Sequence, residues 1–166
     1  ALHKMMYLIG NISERRRAIK IGKDILQKRS GGFKRIPAKP EFIILDITHR
    51  CNLKCNICEI RTDKSIKEFT IDEVKDLIGQ SIEWGVKEFV LSGGEPFIRE
   101  DVFEILDFVK EKKYHIGILT NGILLNREFI KKLLPYLIPN TLSLSISLDA
   151  LTPEIHDDIR GGRGSF

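Results

Sequence analysis

The chain has 166 residues, of which 42% are hydrophobic and 30% are charged. This length suits one domain, and the composition excludes bulk disorder, collagen and other low-complexity architectures. No apolar run approaches the about 18 residues that a membrane-spanning helix needs.

The net charge of +4 hides a strong asymmetry. Residues 1–40 contain eleven basic and two acidic residues, whereas residues 41–166 contain 16 basic and 21 acidic ones. We therefore divide the chain into a basic helical extension with its linker, 1–40, and a second unit, 41–166. Three interpretations of the extension stay open: docking on the acidic unit, contact of residues 1–29 with an anionic membrane surface, and nucleic-acid binding. The last is disfavoured because no aromatic residues are interleaved with the basic ones.

Residues 41–166 alternate short β-rich runs with amphipathic helical patterns. Strands are predicted at 41–47, 88–91, 115–120 and 142–148. A capping-box spacing at residues 70–73 begins the first helix, and a Thr-Pro pair begins the fourth. The residues predicted to face inward are Ile71, Val74, Ile78 and Ile82 in the first helix, Val102, Ile105, Leu106 and Val109 in the second, and Ile130, Leu133, Leu134 and Leu137 in the third, which Asn126 caps and Pro135 kinks or ends.

The second to fourth strands recur about every 27 residues, a spacing typical of βα units in a parallel sheet. The fold class is therefore α/β with parallel strands, built from four successive βα units. A glycine-rich segment, 161–166, follows the fourth helix. A fourth unit that stops there leaves its strand as an unpaired apolar edge, so we expect the chain to be a fragment of a longer one.

All three cysteines, Cys51, Cys55 and Cys58, lie within eight residues just after the first strand. An odd number so closely spaced cannot form a disulfide framework, and free thiols favour a reducing compartment, which we take to be the cytoplasm. Three thiolates on one loop can converge on a metal centre that keeps one position open for a small molecule. The alternatives are incidental buried thiols and a structural zinc site with His49 as its fourth ligand.

Four further motifs follow the later strands. They are Gly93-Gly94-Glu95-Pro96, Thr120-Asn121-Gly122, Ser145-x-Ser147-x-Asp149 and His156-Asp157-x-x-Arg160. With the Cys-x3-Cys-x2-Cys loop, their order over residues 41–166 resembles the radical S-adenosylmethionine (radical SAM) superfamily. One position departs from the family pattern, because Ile57 precedes the last cysteine where the family usually has an aromatic residue.

The resemblance implies a partial (βα) barrel with a 4Fe–4S cluster on Cys51, Cys55 and Cys58. It implies that the fourth iron binds S-adenosylmethionine, whose reductive cleavage gives a 5′-deoxyadenosyl radical that abstracts hydrogen from an unidentified peptide or small molecule. A low-potential electron donor such as flavodoxin or ferredoxin would supply the electron. The alternative from another class is a non-catalytic iron–sulfur or zinc module with an electron-transfer or structural role.

The resemblance also implies roles for single residues. Gly93, Gly94, Glu95 and Pro96 would surround the methionyl amine, while Ser147 and Arg160 would meet the methionyl carboxylate. The Thr120 hydroxyl would lie on the same rim, within reach of a ribose or carboxylate. Asp149 and His156 are expected to be positioning residues, and no side chain is predicted to be a catalytic acid or base.

Overall fold

The structure is a computed structural model, and it describes residues 40–60, 67–137 and 141–166. The helices predicted in the basic extension lie outside these residues. Within the described ranges, every helix is too short or too polar to span a lipid bilayer.

Strands and helices alternate along the described residues. In chain order they are β1 Phe42–Thr48, α1 Ile71–Trp84, β2 Glu88–Gly93, a 3-10 helix Pro96–Ile98, α2 Val102–Glu111, β3 Ile116–Thr120, α3 Arg127–Leu133, β4 Leu142–Ile146 and α4 Pro153–Arg160. This order confirms the predicted α/β class with four βα units.

The four strands form one parallel sheet with the order β1-β2-β3-β4. Because all the strands run the same way, the segments that follow them meet at one edge, where sites are built in parallel α/β sheets. We call this the carboxyl edge: residues 49–58 after β1, 94–96 after β2, 121–122 after β3 and 147–149 after β4.

The two faces of the sheet differ in polarity. One face carries two apolar rows that run across the strands and belong to the core shared with the helices. The rows are Ile43, Phe89, Ile116 and Leu142, and Leu45, Leu91, Ile118 and Leu144. The opposite face carries Asp46, Ser92, Leu119 and Ser145 near the carboxyl edge, all at least partly exposed. The apolar face therefore holds the fold together, and the mixed face is left accessible.

The first two helices begin and pack as the sequence predicts. Thr70 and Glu73 form a reciprocal capping box at the start of α1, and Val74 and Ile78 are buried. In α2, all four residues predicted to face inward are buried.

The prediction for the third helix is wrong in part. Only Leu133 is buried, whereas Ile130, Leu134 and Leu137 are 41%, 57% and 40% exposed. The helix ends at Leu133, two residues before Pro135, which has no N–H to continue the hydrogen-bond ladder. Leu134 and Leu137 therefore lie beyond the helix, whereas Ile130 lies within it and is exposed all the same.

Candidate functional site

The cysteine loop, residues 51–58, follows β1 at the carboxyl edge. Cys51 is exposed, and Cys55 and Cys58 are half-buried; all three are free thiols. Buried Leu53 anchors the loop, and its N–H donates to the Cys51 sulfur at 3.4 Å. The Cys58 N–H donates to the Cys55 carbonyl at 3.2 Å, which closes a turn between these two thiols.

The carboxyl end of α4 holds this loop in place. The backbone N–H of Asn56 donates to the Ile159 carbonyl at 3.0 Å, and its side-chain amide donates to the Asp158 carbonyl at 2.9 Å. Gly161 has φ +65° and lies so close that a Cβ there would overlap the Lys54 carbonyl oxygen. We call these contacts the α4 clamp. The sequence did not predict them, because nothing in a local pattern pairs residues about a hundred positions apart.

Burial raises the pKa of the Cys51 thiol above its ordinary value. Negative charge on Glu95, Cys55 and Cys58 acts in the same direction, against the hydrogen bond from the Leu53 N–H. The thiol is therefore held in its protonated form in the metal-free chain, and a metal ligand at this position must first lose that proton.

Gly93 and Gly94 bring the end of β2 against the chain that leads into the cysteine loop. Gly93 has φ +115°, and a Cβ there would overlap the Thr48 carbonyl oxygen. A Cβ on Gly94 would overlap the Arg50 carbonyl oxygen. The same two carbonyls accept hydrogen bonds at 2.8 Å, that of Thr48 from the Gly94 N–H and that of Arg50 from the Glu95 N–H. The close backbone approach that these glycines permit is therefore an approach to the protein itself.

Glu95 is fully buried and joins the ends of β2 and β3. One carboxylate oxygen accepts from the Phe97 N–H at 3.1 Å and the Thr120 hydroxyl at 2.8 Å, and the other accepts from the Asn121 N–H at 2.8 Å. Pro96, also buried, begins the 3-10 helix that carries Phe97. The carboxylate thus turns into the protein at the base of the site.

The Thr120 hydroxyl already has two partners in the chain. It donates to Glu95 and accepts from the Gly122 N–H at 3.0 Å. Thr120 is buried, with 2% of its surface exposed. Its carbonyl accepts from the Ser147 N–H at 2.9 Å, which extends the pairing of β3 with β4 to the rim. Ser147 itself is half-buried at that rim.

Asn121 connects this network to the cysteine loop. Its side-chain N–H donates to the Asn52 side-chain oxygen at 2.7 Å and to the Cys51 sulfur at 3.8 Å. Its side-chain oxygen accepts from the Ile123 N–H at 3.0 Å. We did not single out Asn121 as a site residue, although its position in a polar turn after a strand was the available signal.

Arg160 and Asp149 meet on the β4 side of the site. Arg160 Nε lies 2.5 Å from Asp149 Oδ2, but the contact is not aligned as a hydrogen bond. The Asp149 N–H donates to His156 Nδ1 at 3.2 Å, and this buried imidazole packs edge-on against the Phe166 ring. His156 therefore fixes the segment that carries Asp149.

Sequence reasoning also missed Arg99, which supports the base of the cysteine loop. Its guanidinium is 4% exposed and forms two hydrogen bonds with Asp101, at 2.8 and 2.6 Å. It also donates to the carbonyls of Ile47, at the end of β1, and Phe69, before α1. A buried arginine has no periodic signature, so only the folded chain identifies this role.

The donor chemistry at the carboxyl edge fits an iron–sulfur cluster, since three free thiols on one loop are soft ligands of the kind these clusters use. Among the described residues, no three Cys, His, Asp or Glu side chains lie close enough together to hold a metal ion. This applies also to the zinc ligand set of the three cysteines and His49. In the same part of the chain, the guanidinium of Arg160 lies at the rim with its Nε already ion-paired to Asp149, so an acidic ligand group would have to meet its terminal nitrogens. The thiols would have to be drawn together on binding.

Comparison with known families gives one match over most of the chain. A family model described as the radical SAM superfamily matches residues 45–166.

Curated relatives match over similar lengths. The subtilosin biosynthesis protein AlbA of Bacillus subtilis is 34% identical over 128 residues, which are 76% of this chain and 28% of that protein. The AdoMet-dependent heme synthase of Methanosarcina barkeri is 36% identical over 76% of this chain and 36% of its own length. The Fe-coproporphyrin III synthase of the same organism is 34% identical over 90% of this chain and 37% of its own length. The chain thus spans about a third of the length of these relatives.

Solved structures share the fold. Streptococcus suis SuiB bound to S-adenosylmethionine has a TM-score of 0.65, and SuiB bound to its precursor peptide SuiA has a TM-score of 0.66. Both are 20% identical to this chain and cover 94% of it, which corresponds to 33% and 34% of the SuiB chains.

Proposed function

Because its residues 45–166 match the family model, the chain belongs to the radical SAM superfamily, and we propose that it forms the cluster- and S-adenosylmethionine-binding part of an enzyme that modifies a peptide or small molecule. One observation carries the proposal. The three thiols are confined to one loop at the carboxyl edge, and every later strand end contributes a contact within that same region.

In this proposal, Cys51, Cys55 and Cys58 hold a 4Fe–4S cluster. When bound, the cluster and S-adenosylmethionine supply a one-electron cleavage that gives a carbon radical able to take a hydrogen atom from the substrate. The chain's own contribution is positional. The α4 clamp fixes the loop on both sides of Cys55, at Lys54 and Asn56, and the network around Glu95 fixes the neighbouring turns, so that the reactive atoms are held in one orientation.

We propose that the terminal guanidinium nitrogens of Arg160 and the half-buried Ser147 bind the methionyl carboxylate. A guanidinium has five N–H donors, so Arg160 can pair with a second carboxylate while its Nε stays beside Asp149. Gly93, Gly94 and Pro96 shape the turn beside Cys51, where the methionyl amine would lie. Glu95 and Thr120 take a supporting part, because each already has partners within the chain.

We infer the substrate class from the names of the relatives, which include both peptides and small molecules. AlbA belongs to a bacteriocin pathway and SuiB is known with a precursor peptide, whereas two other relatives are synthases named for heme and Fe-coproporphyrin. The accessible mixed face of the sheet, with Asp46, Ser92 and Ser145, suits a substrate with polar groups. We propose a low-potential donor such as flavodoxin or ferredoxin as reductant and, from the three free thiols, the cytoplasm as compartment.

The test is anaerobic reconstitution of the chain with iron and sulfide, followed by electron paramagnetic resonance of the reduced protein. We expect four irons per chain and a signal that shifts when S-adenosylmethionine is added. Cys55→Ala should lose the iron, because two thiolates cannot hold the cube and leave one iron open. Lys54→Ala, on the same loop, removes no thiol and should load normally.

Two results would contradict the proposal. A reconstituted cluster whose signal does not respond to S-adenosylmethionine would favour a non-catalytic iron–sulfur module. Binding of zinc in place of iron, with no cluster formed under reconstitution, would favour a structural zinc site. The resonance readout is chosen because it reports ligand binding and does not require turnover.

A further inference from the structure

We propose that Asn121 tunes the reduction potential of the cluster through a hydrogen bond from its side-chain amide to the Cys51 sulfur. The proposal rests on the proposed function, since it requires a cluster on Cys51. It assigns to Asn121 the role of a positioning residue, which acts on the cluster through the thiolate and does not touch substrate.

The hydrogen bonds of Asn121 fix which way its amide points. The Ile123 N–H donates to the side-chain oxygen at 3.0 Å, so the nitrogen must lie on the opposite side. That nitrogen lies 2.7 Å from the Asn52 oxygen and 3.8 Å from the Cys51 sulfur, and the second distance is within the range of N–H···S contacts. A flipped amide would place two donors against each other at Ile123.

The backbone of Asn121 is held as firmly as its side chain. Its N–H donates at 2.8 Å to Glu95, a fully buried carboxylate that is also bound by Thr120. Asn121 comes directly after β3, so the sheet places its backbone, and its amide is held between the Ile123 N–H and Asn52 of the cysteine loop. The donor is therefore in place before a cluster binds, and binding need not order it.

The effect on the potential follows from charge. A reduced cluster carries one more electron than the oxidised cluster, and part of that charge resides on the cysteine sulfurs. An N–H dipole directed at a sulfur stabilises the reduced state more than the oxidised state, which raises the potential. The contact from Asn121 adds to the one that the Leu53 N–H makes with the same sulfur at 3.4 Å.

The experiment measures the midpoint potential of the reconstituted chain by redox titration monitored by electron paramagnetic resonance, without S-adenosylmethionine. Asn121→Leu has a similar size and no donor or charge, and we expect it to disfavour reduction about tenfold, which is about 59 mV for a one-electron couple. Asn121→Asp should lower the potential further, because a carboxylate replaces the donor with negative charge. Asn126→Asp is the matched control: it makes the same change five residues away, where Asp still caps α3, and should leave the potential near that of the wild type.

A wild-type measurement keeps the proposal testable if Asn121→Leu loads no iron. Asparagine labelled with ¹⁵N only in its side-chain amide should give a hyperfine coupling to the reduced cluster, and Asn52→Ala should retain it. No such coupling, or an Asn121→Leu protein with four irons and an unchanged potential, would overturn this inference and leave the proposed function intact. A cluster indifferent to S-adenosylmethionine would instead count against the proposed function.

Discussion

At the scale of single residues, Glu95 shows how a site motif also serves the fold. Its buried carboxylate accepts from two backbone N–H groups and one hydroxyl, drawn from the ends of β2 and β3. Replacing one oxygen with an amide nitrogen would set a donor against a donor without changing the size of the side chain. Replacement of Glu95 therefore measures how much its contacts between the ends of β2 and β3 contribute to the free energy of unfolding.

We predict that Glu95→Gln lowers the free energy of unfolding by about 1–3 kcal/mol, the cost of leaving a buried donor unsatisfied. Urea denaturation followed by circular dichroism measures it. Glu111→Gln makes the same change at an exposed position and should stay within about 0.5 kcal/mol of the wild type. Equal stability of the two variants would mean that the Glu95 contacts contribute nothing net.

Sequence motifs located these residues but not their partners. The resemblance placed Gly93 and Gly94 around a bound amine, yet only the fold identifies the carbonyls of Thr48 and Arg50 as the groups that they approach. Asn121 and Arg99 were missed because their contacts join segments distant in sequence, where no local pattern records them.

At the scale of elements, the α4 clamp joins the last helix to the cysteine loop. Gly161→Ala should disrupt the clamp, because a Cβ would overlap the Lys54 carbonyl oxygen. We expect iron content after reconstitution to fall severalfold. Gly164→Ala is the matched control: its φ of +79° imposes the same backbone strain, but a Cβ there meets nothing within 4 Å.

Similar losses of iron in both glycine variants would mean that backbone strain alone, and not contact with the loop, explains the effect. Urea denaturation of the two metal-free proteins provides a second comparison. Gly161→Ala should be the less stable of the two, because it combines the strain with the overlap.

The Arg99–Asp101 pair links β1, the start of α1 and α2, and it makes stability depend on pH. Hydrogen bonds from Arg99 hold the pKa of Asp101 below its ordinary value of 3.8. A carboxyl whose pKa is lower in the folded state than in the unfolded state stabilises the fold above about pH 4 and loses that contribution as the pH falls through the folded pKa.

We therefore predict that Asp101→Asn costs about 1–3 kcal/mol at pH 7 and flattens the decline in stability below pH 4. Urea midpoints measured between pH 7 and pH 3 test both parts. Asp76→Asn, an exposed change within α1, should keep the wild-type slope. If Asp101→Asn retains the wild-type slope, another group governs the acid transition.

The elements themselves were largely predictable. Hydrophobic periodicity predicted the buried residues of α1 and α2, and a capping box predicted the start of α1. Periodicity failed in part for α3, because the pattern counted Leu134 and Leu137, which lie beyond the end of the helix at Leu133, and Ile130, which lies inside it but is 41% exposed. Periodicity reports a face only as long as the helix lasts.

At the scale of the whole molecule, β4 forms an open edge. Among the described residues it pairs with β3 alone, and Ile146 is 60% exposed. An unpaired, apolar edge strand is a template for association with another chain. The parallel sheet could be predicted from the recurrence of βα units. The exposure of β4 could not be predicted in the same way, because it depends on whether another segment pairs with this strand.

We predict that Ile146→Lys reduces concentration-dependent self-association of the 166-residue chain, measured by light scattering after size exclusion. Leu134→Lys is the control: that leucine is 57% exposed but follows a helix, not an edge strand, so its replacement should change association less. Equal effects of the two variants would assign any association to general surface hydrophobicity.

The α4 clamp has a consequence for the order of folding. It closes a loop of about a hundred residues, from Asn56 to the carbonyls of Asp158 and Ile159. Contacts of such separation form late, because the chain entropy of closing the loop must be offset by structure already made. During synthesis, the segment that carries the thiols emerges about a hundred residues before the fourth helix, and until then only contacts such as those of Leu53 and Asn121 can hold it. Metal loading would therefore improve once the fourth βα unit is complete.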